Sequence, residues 1–478
     1  MPPQRRPRIA LLALGALLAL AACAERQLPP EPAAAPKPPK PAPAPVAQTS
    51  EPSCEPLTFE VPTLDDSVIS APPQPLVDPT GEGMNHFYER LARLLRGRAK
   101  DHVRIGVYGD SNMTMDWITG TMRRDIQQKI RDGGHGFIAL GRPWTHYHHM
   151  DIVQELSTSF QSYAVTTKPT GDGGYGYAGI VSESAYPSSK VRISTAGPDS
   201  PIGKTASRFD VYYMKGPRAG AFEMKANGKT LATLDGFADE RSVGVYRAEV
   251  PDGPQQFDMV VSTPKWVRLL GGVVERRDPS VVIDSLGVGA MNTRCITLQD
   301  PRLAEPMIKF RRYDLVILMT GTADIFELDK VPGYVTTVVE THRKSRPGVS
   351  FLLVSPPDRG VSKTTQKLLA VGKQRLELAH TLKTGHWDLL AAMGGPTSMM
   401  KFIRKQLALP DQIHFSEPGG RWVGRRLLNA LSQGFANYLA AHPRAGCDEM
   451  GIEELEPWSA GSHDAAVASQ AVAVKAVR

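Results

Sequence analysis

The sequence predicts an α/β fold with a parallel sheet, interrupted by an inserted β-sandwich, and three features of the chain carry that prediction. Short apolar strands alternate with helix-length periodic segments before about residue 134 and again after about residue 286. Two of the later strands, Tyr313 to Thr320 and Val349 to Ser355, are almost wholly apolar, as strands covered on both faces must be. Residues 150–285 instead carry short β-like runs and turn pairs with few helical periods. Of the 478 residues 41% are hydrophobic and 22% charged, which excludes a wholly disordered chain. The formal charge is +7, but Arg5, Arg6 and Arg8 supply three of those charges, so no nucleic-acid partner is expected.

In chain order, residues 1–22 read as a secretory signal: arginines precede the apolar run Ile9 to Ala22, which is too short to span a bilayer. The run closes in Leu20-Ala21-Ala22-Cys23, which resembles the lipobox of bacterial lipoproteins. That resemblance implies a diacylated Cys23 at the mature N-terminus and attachment to a membrane through the lipid. Ala24 resembles the sorting pattern of outer-membrane lipoproteins, so the expected location is the cell envelope, on the periplasmic side. Residues 23–54 form a tether, in which nine prolines between 29 and 45 favour extended polyproline II.

The body divides into 55–149, 150–285 and 286–457, followed by an Ala/Val/Ser-rich tail, 458–478, expected to be disordered. Met84, Phe87, Leu91, Leu94 and Leu95 recur at helical spacing before Gly97. Val103, Ile105 and Val107 alternate in a strand that runs into Gly109-Asp110-Ser111-Asn112, and Ile118, Met122, Ile126 and Ile130 form a helical face ending at Gly133-Gly134. In the insert, Phe209 to Tyr213 and Phe257 to Val261 read as strands, and Asn227-Gly228 and Asp252-Gly253 as hairpin turns. Residues 330–345 suit a helix, Trp387 to Leu390 a strand, and Arg421 to Leu439 a terminal helix. Cys54 precedes the folded body and Cys447 follows its last helix. Domain ends are often close together, which pairs these two and leaves Cys295 a buried thiol; three reduced cysteines are the alternative.

An open parallel sheet presents reactive groups at the carboxyl ends of its strands. Ser111 follows the first strand, Gly321-Thr322-Ala323-Asp324 follows the Tyr313 strand, and Asp411-Gln412-Ile413-His414 lies before the terminal helix. A serine, a histidine and a carboxylate are what a hydroxyl nucleophile needs: the imidazole takes the proton, and the carboxylate fixes its tautomer. The bland alternatives are a helix N-cap for Ser111 and a solvated loop for Asp411 and His414.

These residues resemble the SGNH, or GDSL-type, hydrolases, whose three-layer fold is flavodoxin-like. Gly109-Asp110-Ser111 matches the family's first block, Leu286-Gly287-Val288-Gly289-Ala290 the second, and Asp411 with His414 the fifth. The resemblance implies Ser111 as nucleophile, His414 as base, Asp411 as its orienting carboxylate, and the N–H groups of Ser111 and Gly289 as oxyanion donors. A narrower resemblance is to bacterial envelope members related to peptidoglycan O-acetylesterases, which carry a β-sandwich between the first two blocks. Gly133 to Phe137, Ser355 to Arg359, and Trp387-Asp388 through Met393-Gly394-Gly395 look like that subgroup. It implies removal of O-acetyl groups from peptidoglycan or another envelope polysaccharide, without a cofactor. Transfer of the acyl group to a sugar is an alternative.

One position departs from the pattern. Ala323 stands where the third block supplies an asparagine whose amide also donates to the oxyanion. Losing such a donor costs about 10²–10³ in rate, unless Thr322 or Asn112 replaces it, so a non-catalytic carbohydrate-binding lipoprotein is a further alternative. His146, His148 and His149 cluster in one loop but lack zinc-like partners, so no metal site is expected. Gly171 to Gly176 lacks the Lys-Ser/Thr of a phosphate loop. Tyr175, Tyr177 and Trp266 are candidates for stacking on sugar, with core packing as the default.

Overall fold

A computed structural model describes residues 54–447 except residue 66. The expected signal, the lipidation site Cys23, nearly all of the tether and the C-terminal tail lie outside the described residues. Among those described, five parallel strands form one sheet: Val103–Gly109, Val281–Gly287, Leu315–Met319, Ser350–Val354 and Gly385–Trp387. Numbered in chain order they lie 2-1-3-4-5, the flavodoxin-like order. Alternation along each strand divides the core between two faces. Val103, Ile105 and Val107 pack with helices Asn85–Leu95, Trp117–Lys129 and Glu417–Ala441. Tyr108, Val316, Leu318 and Leu353 face helices Pro301–Arg311 and Val331–Ser345. The result is three layers.

The chain reverses its strand order between the first strand and its two neighbours, second and third in chain order. In such sheets the crevice for a ligand opens at the carboxyl ends of the strands where this happens. Gly109 and Gly321 end up on either side of it.

Two antiparallel sheets are inserted between the first and second parallel strands. One runs in the order Ser242–Gly253, Ala206–Lys215, Val267–Glu275, Ile180–Ser184, Gln161–Ala164, with Gly134–Ile138 also paired to Val267–Glu275. The other runs Ile152–Leu156, Lys190–Thr195, Gln256–Val261, Ala221–Ala226, Lys229–Asp235. Val191, Ile193, Phe209, Val211, Phe222 and Phe257 fill the space between them.

Several expectations are corrected. Antiparallel pairing begins at Gly134, not near 150, because Gly133-Gly134 does not only stop a helix: Gly134 opens the strand Gly134–Ile138. Residues 281–285 belong to the parallel sheet, so the expected boundary at 285 cuts a strand. Asp252-Gly253 is not a hairpin turn; the strands before and after it belong to different sheets. The strand expected from Trp387 to Leu390 is Gly385–Trp387, and Asp388 caps a short helix, Leu389–Met393. Tyr175 and Tyr177 take the default core packing, whereas Trp266 is exposed. Cys54 and Cys447 are disulfide-bonded, and the free Cys295 is half-buried instead of buried.

Candidate active site

The strand Val103–Gly109 ends in a tight 3-10 turn, Ser111–Met113. Asp110 caps it, its carboxylate accepting from Asn112 N–H at 3.0 Å. Ser111 is therefore not the cap. Two glycines make the turn fit: a Cβ at Gly109 or Gly287 would stand 2.2 or 2.3 Å from the Met113 side chain.

The other half of the site is a hook formed by residues 408–415, closed at its base by a bridge between Ala408 and Phe415. At its tip Asp411 accepts from the backbone N–H of Ile413 at 2.9 Å and of His414 at 3.0 Å. Gln412 adopts φ +67°, which folds the carboxylate back onto the imidazole. His414 Nδ1 lies 2.7 Å from Asp411 Oδ2, and His414 Nε2 lies 2.8 Å from Ser111 Oγ. Burial acts to raise the Asp411 carboxyl, but the His414 ring and the two backbone N–H groups outweigh it and hold it low.

Asn112 joins the two halves. Its carbonyl oxygen accepts from Phe415 N–H at 2.9 Å, and its amide donates to Ile413 O at 3.5 Å. The side chain thus helps to place His414 beside Ser111, with one of its two amide N–H groups engaged.

Gly289 follows the second parallel strand. Val288 N–H donates to Gly109 O at 3.1 Å, which ties this loop to the end of the serine strand. Among the described residues the N–H groups of Ser111 and Gly289 have no hydrogen-bond partner. Space around Gly289 is open: a Cβ there would meet nothing within 4 Å. Ala323, half-buried at the start of the turn Asp324–Phe326, offers only a methyl group. The Thr322 hydroxyl is buried beside Asp110. Burial raises the Asp110 carboxyl, opposed by Asn112 N–H, Thr322 and the His414 charge.

Below Ala323 the same loop is anchored by a buried ion pair that the sequence did not reveal. Asp324 accepts from Arg375 at 3.0 Å and from the N–H and hydroxyl of Thr293 at 2.8 and 2.7 Å. Arg375 also donates to Leu318 O at 3.1 Å and to Val354 O, clamping the ends of two parallel strands.

A solved structure described as a peptidoglycan O-acetylesterase in action superposes with a TM-score of 0.62 at 19% identity, over 76% of this chain and 99% of that one. The chain shares the fold of that structure. Two more distant structures show what lies below that level. A family two carbohydrate esterase from Cellvibrio japonicus matches at 11% identity and TM-score 0.24 over 59% of this chain and 98% of that one. The salicylyl-acyltransferase SsfX3 of a tetracycline biosynthetic pathway matches at 13% and 0.26, over 62% and 96%. No family model and no curated protein matches the chain. Within this fold, Ser111 lies after the first parallel strand and Ala323 after the third. Of the loop histidines, His146 and His148 are exposed and His149 is buried beside Asp116, and no three metal-ligating side chains converge among the described residues.

Proposed function

We propose that the protein is a serine-dependent carbohydrate esterase that removes O-acetyl or similar acyl groups from peptidoglycan or another envelope polysaccharide. The observation that carries this is the continuous chain from Asp411 through His414 to Ser111, with contacts of 2.7 and 2.8 Å. Ser111 Oγ attacks the ester carbonyl as His414 Nε2 takes its proton, and the N–H groups of Ser111 and Gly289 donate to the oxyanion. Collapse expels the sugar oxygen, which receives the proton from His414, and leaves acyl-Ser111. Water, deprotonated by His414, then attacks the acyl carbonyl, and the carboxylic acid leaves as Ser111 recovers its proton.

A polymer substrate is supported by the open setting, with the His414 and Asp411 side chains 35% and 44% exposed, and by the likeness to the peptidoglycan O-acetylesterase. Envelope attachment through a lipid on Cys23 suits the same substrate; Cys23→Ser should release the protein from membranes, and equal partitioning of the two forms defeats the anchor. Ala323 favours one second reading, a carbohydrate-binding lipoprotein without turnover. Acetate release from O-acetylated peptidoglycan by the full-length protein separates the two. Release that disappears in Ser111→Ala supports the esterase, and glycan binding without release selects the binding protein.

A further inference from the structure

We propose that Thr166, on the inserted β-layer, is a positioning residue for the oxyanion donor Gly289. This rests on the esterase function proposed above and adds a part of the molecule that the parallel-sheet core does not contain.

Thr166 stands at the tip of a short loop after the edge strand Gln161–Ala164. The loop is stiff for its length. Ala164 N–H donates to Lys168 O at 3.1 Å and Lys168 N–H returns to Ala164 O at 3.3 Å, closing its base. Val165 N–H is held by Gly179 O at 2.9 Å, and the Lys168 ammonium lies 4.5 Å from the centre of the Tyr163 ring. From this support the Thr166 hydroxyl donates to Gly289 O at 2.5 Å, across 123 residues of sequence.

Gly289 needs such a hold. Its neighbours are fixed: Val288 and Met291 are fully buried, Val288 N–H is bonded to Gly109 O, and Met291 N–H to Val288 O at 3.1 Å. Gly289 itself has no side chain to restrict its torsions and no neighbour near its Cβ position. The next residue, Ala290, has φ +57°, a conformation that alanine adopts at a cost, and the Thr166 bond holds the Gly289–Ala290 peptide unit that leads into it. With its carbonyl engaged by Thr166, Gly289 keeps only its N–H open to the site. That group acts on charge present mainly in the transition state, so a loss of aim lowers turnover more than it weakens substrate binding.

The test uses the full-length protein, 4-nitrophenyl acetate as ester, and Thr166→Val, which keeps the shape and removes the hydroxyl. The expected result is a kcat lower by about tenfold with KM within about twofold of wild type, an unchanged melting midpoint, and most of the turnover regained in Thr166→Ser. A purely packing role predicts the reverse, with stability moved and Ser no better than Val. If Val lowers the melting midpoint, Thr166→Ala is judged by the same kinetic criteria. A Thr166→Val enzyme with wild-type kcat, or with KM alone raised, overturns the assignment while leaving the esterase intact. A wild type inert towards both this ester and O-acetylated glycans defeats the esterase, and the role of Thr166 with it.

Discussion

Two polar clusters share the parallel sheet and are built on opposite principles. At the carboxyl ends of the strands, Ser111, His414 and Asp411 form a single file, half open to water, beside N–H groups without partners among the described residues. Further back, where the insert meets the sheet, Arg104, Glu275, Asp284, Arg311 and Tyr313 are buried and saturated. Glu275 accepts from Arg104 at 3.1 Å and Arg311 at 2.5 Å, and Asp284 from Arg311, Tyr313 and Phe137 N–H at 2.6 to 2.9 Å. Burial would raise the Glu275 carboxyl, but the two guanidiniums hold it well below the usual range. A saturated cluster fixes geometry and leaves nothing for a visitor; an unsaturated one marks where a reacting atom is to sit.

The sharpest division between the two comes from Ser111→Ala. It should lower acetate release by at least about a thousandfold while the melting midpoint stays put, because Asp110 and not Ser111 caps the turn. Loss of folding instead would blur the contrast. Arg311→Met should do the opposite. Leaving Glu275 and Asp284 buried without their shared cation costs about 3–5 kcal/mol of stability, measurable in a denaturant titration, with turnover per folded molecule near wild type. If turnover falls with stability preserved, the buried cluster belongs to the catalytic apparatus after all.

Ala323→Asn tests whether the open cluster is short of one donor. An amide delivered to the oxyanion should raise kcat about tenfold or more, at least about 1.4 kcal/mol, with KM little changed. Ala323 is half-buried, which leaves the longer side chain a way out, and a melting curve checks that it fits. No gain in a folded, active background would mean that two N–H donors suffice.

The smallest effect concerns the interior. Burial, helped by charge on His149 and Arg123, lowers His135 to about 4; burial, against the pull of Asp116, lowers His149 to about 4; and burial lowers His342 to about 4. In the unfolded chain these rings bind protons near the ordinary 6.5. As pH falls from 6.5 towards 4 the unfolded state takes up protons that the folded state refuses, so stability present above 6.5 is lost in that window. Melting midpoints should decline by several degrees across it, and a His135→Asn, His149→Asn double variant should decline less steeply. Asp116, where opposing charge from Arg123 and His149 overcomes burial, is held at about 2 and stays ionised throughout.

Legibility in the sequence followed the length scale of the contacts. Ser111, Asp411 and His414 sit in short phrases at the ends of recognisable elements, and the apolar runs of the parallel strands were equally plain. Thr166 gave no signal, and Asn112 gave one only as a possible oxyanion donor, since both act through hydrogen bonds across 123 and 301–303 residues. The Arg104–Glu275–Arg311 cluster was invisible for the same reason, its members lying on separate elements and looking like ordinary surface charges. Asp252-Gly253 misled because a turn pair reports a local bend and not which sheet the chain enters next. Tyr175 and Tyr177 took the default, core packing, because an aromatic ring suits a core as well as a sugar.

The Cys54–Cys447 bond spans 393 residues and turns the body into a closed covalent ring. A pull arriving at residue 54 has a second covalent path, through sulfur to residue 447, so the N-terminal strap shares the load with the bond. Without the bond, that strap would peel first, through contacts such as Asn429 to Pro62 O, Arg426 to Ala71 O and Trp387 to Gln74 O. Closure also protects against cutting: one backbone break anywhere in the ring leaves a single molecule, and a second is needed to detach a fragment. Mechanical and proteolytic endurance thus depend on the oxidation state of two sulfurs far along the chain from the chemistry at Ser111.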